Sequence, residues 1–360
     1  MRIFNASSLC FLLLISWLNI TTHACTCFCF ATPNGPVYGC NLDFFLPGDG
    51  LVFINQRGIA KTGFQQSTTG KTAEWVSKYG SVTFNLAGRE FPFGGMNDAG
   101  LVVGGLQLLA SEHPKPDKRT PVTVGSWVQY VLDTCSNVQE VILVDKKVRI
   151  EDSSPPSHYL VTDAAGNCAS IEFLDGKLVS RTGDNLPVKA MSNMRYDRAL
   201  AAFKRGGPRW WWSNPGRSSE RFACAETRNK SFNANLDTNA VKYAFDTLIH
   251  QVSAPETKWN IVYDIAKREV WYRSVASPEI KHLSLNSFDL SNKSPLLMLD
   301  INAPLKGNVE KSFTTYDFDT NLKVFIALCN GHIPTVTKEE ALANKSTAED
   351  DQTVKNKEQV

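Results

Sequence analysis

After an apolar run at residues 8–20 (SLCFLLLISWLNI), the chain settles into short segments whose apolar positions recur every second residue. Residues 25–30 (CTCFCF) alternate, Pro33-Asn34-Gly35 signals a turn, and residues 37–43 resume, which together predict a hairpin. Further strands are predicted at 51–55, at 81–86 and, past the turn-like Met96-Asn97-Asp98-Ala99-Gly100, at 101–109. The period then changes. Trp127, Tyr130, Val131 and Thr134 stand at helical spacing within 124–135, and Ser136-Asn137 caps a second short helix. Strands return at 159–163, 169–174 and 178–181, and helices are predicted at 194–203 and 238–252. A late hairpin spans 260–264 and 269–274, with a last core strand at 282–285. Strands in meanders, helical blocks between them and no βαβ alternation predict a layered α+β fold in one domain.

Composition sharpens this picture at the two ends. In a chain of 360 residues, 42% hydrophobic and 21% charged, the first 24 residues differ in kind. Arg2, the apolar run and Thr22-His23-Ala24 read as a secretory signal peptide cleaved before Cys25. The run is too short to span a bilayer comfortably and no second stretch approaches the required length, so no membrane span is predicted. The expected destination is the periplasm or the medium. Residues 25–337 form the expected domain, and 338–360, dominated by charged and small polar residues, the expected disordered tail. Thirty-eight basic against 36 acidic residues leave a net charge of +2, which gives no argument for a nucleic-acid partner.

Cleavage would make Cys25 residue one, and that changes its chemistry. A free thiol has a pKa near about 8.5 and needs a base to become a nucleophile. The α-amine of a terminal cysteine, with a pKa of roughly 8, can be that base without a histidine. The remaining histidines (His113, His158, His250, His282, His332) show no triad or metal spacing. Asp43, at the far end of the hairpin, is placed to hold the amine. No cofactor or metal is called for.

At this point ordered motifs matter: Cys25-Thr26, Gly39-Cys40-Asn41-Leu42-Asp43, Gly95-Met96-Asn97-Asp98-Ala99-Gly100-Leu101, Met191-Ser192-Asn193, Pro215-Gly216 with Ser219-Glu220-Arg221-Phe222, and Trp259-Asn260-Ile261-Val262-Tyr263-Asp264. Through them the chain resembles the choloylglycine hydrolase superfamily of N-terminal-nucleophile hydrolases, which includes conjugated bile acid hydrolases and penicillin V acylases. The runs Trp75-Val76-Ser77-Lys78-Tyr79-Gly80-Ser81-Val82 and Ala276-Ser277-Pro278-Glu279-Ile280 look most like the exported penicillin V acylases. The resemblance implies a four-layer αββα sandwich of two antiparallel sheets between helical layers. It implies Cys25 as nucleophile, Asp43 orienting its amine, Asn193 and Gln107 as oxyanion donors, and Arg221 beside the thiol. It implies a small-molecule amide substrate with an apolar acyl group, and often a homo-oligomer, tetramer or dimer. Many relatives carry an arginine where this chain has Cys40, so that either Arg221 supplies that positive charge alone or Cys40 marks a branch with different substrates.

Other readings stand beside these. The first choice of activity is penicillin V acylase-like. Conjugated bile salt hydrolysis, then cleavage of N-acyl homoserine lactones or fatty acyl amides, are alternatives. A lipid-anchored or catalytically weak binding protein of the same fold is the non-enzyme alternative, since a cysteine after a cleavage site is also a lipidation signal. Cys27 and Cys29 are expected to be small buried thiols, with no disulfide assigned. Asn97 is expected to be structural, and Trp210-Trp211-Trp212 reads equally as acyl pocket or core edge.

Overall fold

The computed structural model describes residues 25–332 apart from 46, 64–71, 90, 152–153 and 207–216. The leader, the charged tail and Trp210-Trp211-Trp212 lie outside the described residues.

The predicted N-terminal hairpin forms: β1 (Thr26–Thr32) and β2 (Gly35–Asp43) pair antiparallel across Pro33-Asn34. Gly35 sits at φ 119°, and a Cβ there would collide with the Ala266 side chain. The two-residue loop sets the register and brings Cys27 opposite Cys40, to which it is joined by a disulfide. This corrects the expectation of a free thiol at Cys27, whereas Cys29 is free and buried. Closing a loop of this size stabilises the fold by about 3 kcal/mol in the chain-entropy picture.

The hairpin lies within a seven-stranded sheet. Its strand order is β14 (Ala190–Ser192), β1, β2, β15 (Thr257–Asp264), β16 (Glu269–Ser274), β17 (Lys281–Ser284) and β19 (Gly307–Asn308). The second sheet has nine strands, beginning with β13 (Lys177–Thr182), β12 (Cys168–Leu174), β11 (Ser157–Thr162) and β8 (Val102–Gln107). It continues through β7 (Pro92–Asn97), β6 (Ser81–Asn85), β3 (Leu51–Asn55), β18 (Leu297–Asp300) and β20 (Thr314–Thr315). Two small ribbons complete the strands, β4 (Ala60–Thr62) with β5 (Glu74–Val76) and β9 (Thr120–Val122) with β10 (Val148–Ile150). The second ribbon is parallel across two helices, a crossover absent from the predicted meanders.

Helices cover both outer faces. On the nine-stranded sheet lie α1 (Val124–Thr134), capped by the Thr123 hydroxyl, and α2 (Val138–Val144), capped by Asn137. Trp127 of α1 stacks on Tyr159 of β11 with ring centroids 4.3 Å apart. The other face carries α3 (Tyr196–Lys204), α4 (Ser218–Ser231) and α5 (Ala240–Asp246), which runs on into a π turn at Thr247–Gln251. A further helix, α6 (Phe318–His332), follows the last strand. The result is the αββα sandwich.

Between the sheets, Phe84 packs edge-on against Tyr263 and Tyr272, at 6.3 and 5.2 Å between centroids. Tyr38 reaches across to donate its hydroxyl to the Leu160 carbonyl. Gly104 permits this, because a Cβ there would stand 2.2 Å from the Tyr38 oxygen. Along β1, therefore, odd-numbered residues face the second sheet and even-numbered ones face α4. This parity assigns Cys25 and Thr26 to opposite sides.

Candidate active site

Cys25 immediately precedes β1 and is 3% exposed. The Asp43 backbone N–H donates to its Sγ at 3.5 Å, and the thiol returns a contact to the Asp43 carbonyl at 3.6 Å. The end of β2 therefore holds the sulfur through both polar groups of one residue's backbone. Burial, ahead of the Asp43 charge, pushes the thiol up to about 12, while Arg221 pulls the other way.

Asp43 is 1% exposed. Its Oδ1 accepts from the Thr257 hydroxyl at 2.5 Å, whereas its Oδ2 is buried without a hydrogen-bond partner among the described residues. Burial raises this carboxyl to about 7, opposed by the Thr257 hydrogen bond and by Arg221. An orphaned carboxylate oxygen costs about 1–3 kcal/mol, more when charged, which makes Oδ2 a ready acceptor for a donor brought beside it.

Arg221 lies on α4, almost fully buried. Its Nε donates to Thr26 Oγ1 at 3.0 Å, and its Nη2 donates to Ser218 Oγ at 3.2 Å and Asn193 Oδ1 at 3.4 Å. One guanidinium thus ties β1, α4 and the segment after β14 together. Asn193 in turn donates through Nδ2 to the Gln107 backbone carbonyl at 2.8 Å. Its amide plane is held at both ends, and among the described residues the second Nδ2 proton has no acceptor. Gln107 meets Asn193 through its main chain, and it borders the cavity described next.

In front of Cys25 opens a cavity of about 250 Å³. Leu42, Phe44, Leu86, Phe93, Val128 and Tyr159 contribute to an almost wholly apolar lining, with Cys25, Asp43 and Gln107 at its polar end. A buried sulfur facing an apolar hole suits a ligand with little polarity.

All five predicted site residues, Cys25, Asp43, Gln107, Asn193 and Arg221, converge on this corner. Sequence reasoning missed Thr257 and Thr26. Thr257 stands opposite Asp43 in the β2–β15 register, so only the pairing of distant strands reveals it. Three asparagines from the motifs are structural. Asn97 donates to the Leu132 and Cys135 carbonyls at the end of α1, and Asn260 donates to Asn41, which tethers the π turn through the Leu248 carbonyl. Cys40 is occupied by its disulfide.

Residues 25–194 match the profile of the linear amide C–N hydrolases, choloylglycine hydrolase family. A penicillin V acylase of Pectobacterium atrosepticum is 27% identical over 315 residues, covering 74% of this chain and 82% of that protein. The solved penicillin V acylase of Agrobacterium tumefaciens superposes with a TM-score of 0.68 at 26% identity, over 81% of this chain and 98% of that one. A variant of the conjugated bile acid hydrolase of Clostridium perfringens shares the fold, with a TM-score of 0.59 at 16% identity over 81% and 97%.

Proposed function

We propose that this chain, whose residues 25–194 match the choloylglycine hydrolase family of linear amide C–N hydrolases, is an exported amidase using Cys25 as an N-terminal nucleophile. The observation that carries this reading is a buried sulfur held by the Asp43 backbone, beside an Asp43 carboxylate whose Oδ2 has no hydrogen-bond partner among the described residues, at the polar end of an apolar cavity. Removing residues 1–24 creates an α-amine on the residue that touches Asp43. That amine supplies the missing donor to Oδ2 and the base that the thiol lacks.

The steps follow from these positions. The α-amine takes the thiol proton as Sγ attacks the carbonyl carbon. Asn193 Nδ2–H, with Gln107 beside it, stabilises the oxyanion, and Arg221 holds Asn193 in place. Collapse of the tetrahedral adduct breaks the C–N bond, and the leaving amine takes its proton from the α-ammonium. The same amine then deprotonates the water that hydrolyses the thioester. With Cys25 still amide-linked to Ala24 there is no α-amine to take the thiol proton, and burial holds the thiol up, so turnover is expected only after processing.

The preferred substrates are amides of apolar acids, phenoxyacetyl amides first and conjugated bile salts second. The likeness to two penicillin V acylases above 25% identity favours the former. Export is supported by the leader-like residues 1–24 and by the Cys27–Cys40 disulfide, which suits an oxidising compartment. The test is a panel of phenoxyacetyl, bile acid and fatty acyl amides on processed wild type and Cys25→Ala, with intact mass of the exported protein. Activity lost in the variant and a free amine on Cys25 support the amidase. A diacylglyceryl mass increment identifies an anchored binding protein instead.

A further inference from the structure

One part of the cavity lining comes from a segment distant in sequence from every residue of the Cys25 corner. Phe325 and Leu328 of α6 line the same cavity as Cys25. They pack with Leu322, Ala87 and Phe91, so the helix and the loop between β6 and β7 form one apolar unit. That unit is latched by Asn321, which is fully buried. Its Oδ1 accepts from the Arg89 backbone N–H at 2.9 Å, and its Nδ2 donates to the Tyr316 hydroxyl at 3.0 Å. Gly88 makes room: it sits at φ 85°, and a Cβ there would stand 2.3 Å from Asn321 Oδ1. The loop residues Leu86, Ala87 and Phe91 and the first β7 residues Pro92 and Phe93 line the cavity as well, so shifting the helix shifts the wall.

We propose that α6 sets the length of acyl chain the enzyme accepts, Phe325 and Leu328 closing the cavity against which the distal end of the acyl group packs. The inference rests on the amidase reading for turnover, but its binding form does not. The cavity takes apolar acids, and the helix limits how far they extend. Within a hydrophobic pocket, one methylene changes selection by about tenfold or more. Truncating Phe325 should therefore favour acyl groups several carbons longer, and enlarging Leu328 should exclude them.

The experiment measures kcat/KM across acyl amides from hexanoyl to tetradecanoyl, with phenoxyacetyl included, for wild type, Phe325→Ala, Phe325→Leu and Leu328→Trp. Binding of the corresponding free carboxylic acids to each protein is measured by calorimetry. The expected result is at least a tenfold shift of the ratio of long to short acyl groups upward in Phe325→Ala. A smaller upward shift follows in Phe325→Leu and a downward one in Leu328→Trp, mirrored in the acid affinities. Profiles that superimpose on wild type in folded variants, as judged by circular dichroism, overturn the proposal. Should Phe325→Ala fail to fold, Phe325→Leu and Leu328→Trp decide the question in its place. If no amide is turned over while the acid affinities shift as stated, the amidase reading fails and this one stands.

Discussion

The corner around Cys25 and the α6 wall of its cavity are built on opposite principles. At the corner, few atoms are involved and nearly every one is polar: a sulfur, a carboxylate, a guanidinium and an amide, each held at 2.5–3.6 Å. The wall is a set of apolar side chains from α6 and the loop before β7, held by one asparagine latch. The corner depends on charge, so small displacements change the chemistry steeply. The wall depends on shape, where substitutions change which substrate fits rather than whether a bond breaks. On the proposed reading, catalysis and selection lie on separable parts of the chain.

The largest effect expected at the corner is the loss of the sulfur. Cys25→Ala should lower turnover of the best amide by at least about 10⁴-fold, as removal of a nucleophile does elsewhere. Asn193→Ala should cost about 10²–10³ in kcat with little change in KM, since its free proton acts on charge that exists only in the transition state. A larger effect on KM than on kcat would assign Asn193 to selection rather than to catalysis. At the wall, the sharpest contrast is Asn321→Ala. It leaves the Arg89 N–H without its acceptor and should cost about 1–3 kcal/mol in urea unfolding. Its acyl-length profile should broaden, whereas Asn193→Ala should leave that profile's shape intact.

A subtler prediction concerns pH. In a chain that keeps a residue ahead of Cys25, the folded Asp43 carboxyl lies near 7, above its ordinary unfolded value. A raised acid binds more protons folded than unfolded between about pH 4 and 7, so stability falls as pH rises through that window. On the proposed reading, processing places an ammonium beside Oδ2 and draws the carboxyl down. Urea midpoints followed from pH 4 to 8 should therefore slope downward for the extended chain and lose that slope once the chain starts at Cys25.

The same contrast explains what the sequence disclosed. The corner was legible because its spacing is local. Counting outward from the turn at Pro33-Asn34 places Cys25 against the end of β2, beside Asp43. The same count pairs Cys27 with Cys40, a signal that the expectation of small buried thiols passed over. Arg221 and Asn193 came from motifs rather than from pattern. The helix bearing Arg221 was hidden because Arg221 and Glu226 occupy buried positions and break its apolar stripe. The wall was illegible. Residues 324–329 (VFIALC) read as a continuous apolar run that fits strand or helix, next to a charged tail that draws attention away. Its contact with the loop before β7 spans more than 200 positions, the latch from Asn321 to Arg89 being 232 residues apart, and no periodicity reports such a distance.

The proposed chemistry requires that the base belong to the nucleophile's own residue. Two otherwise identical proteins test this directly, one released with Cys25 first and one retaining a single residue ahead of it, each given the best phenoxyacetyl or bile acid amide. Turnover and a thioester mass adduct are expected only for the chain beginning at Cys25. Equal turnover by the extended chain would mean that some other group deprotonates the sulfur, and the proposed chemistry would be wrong.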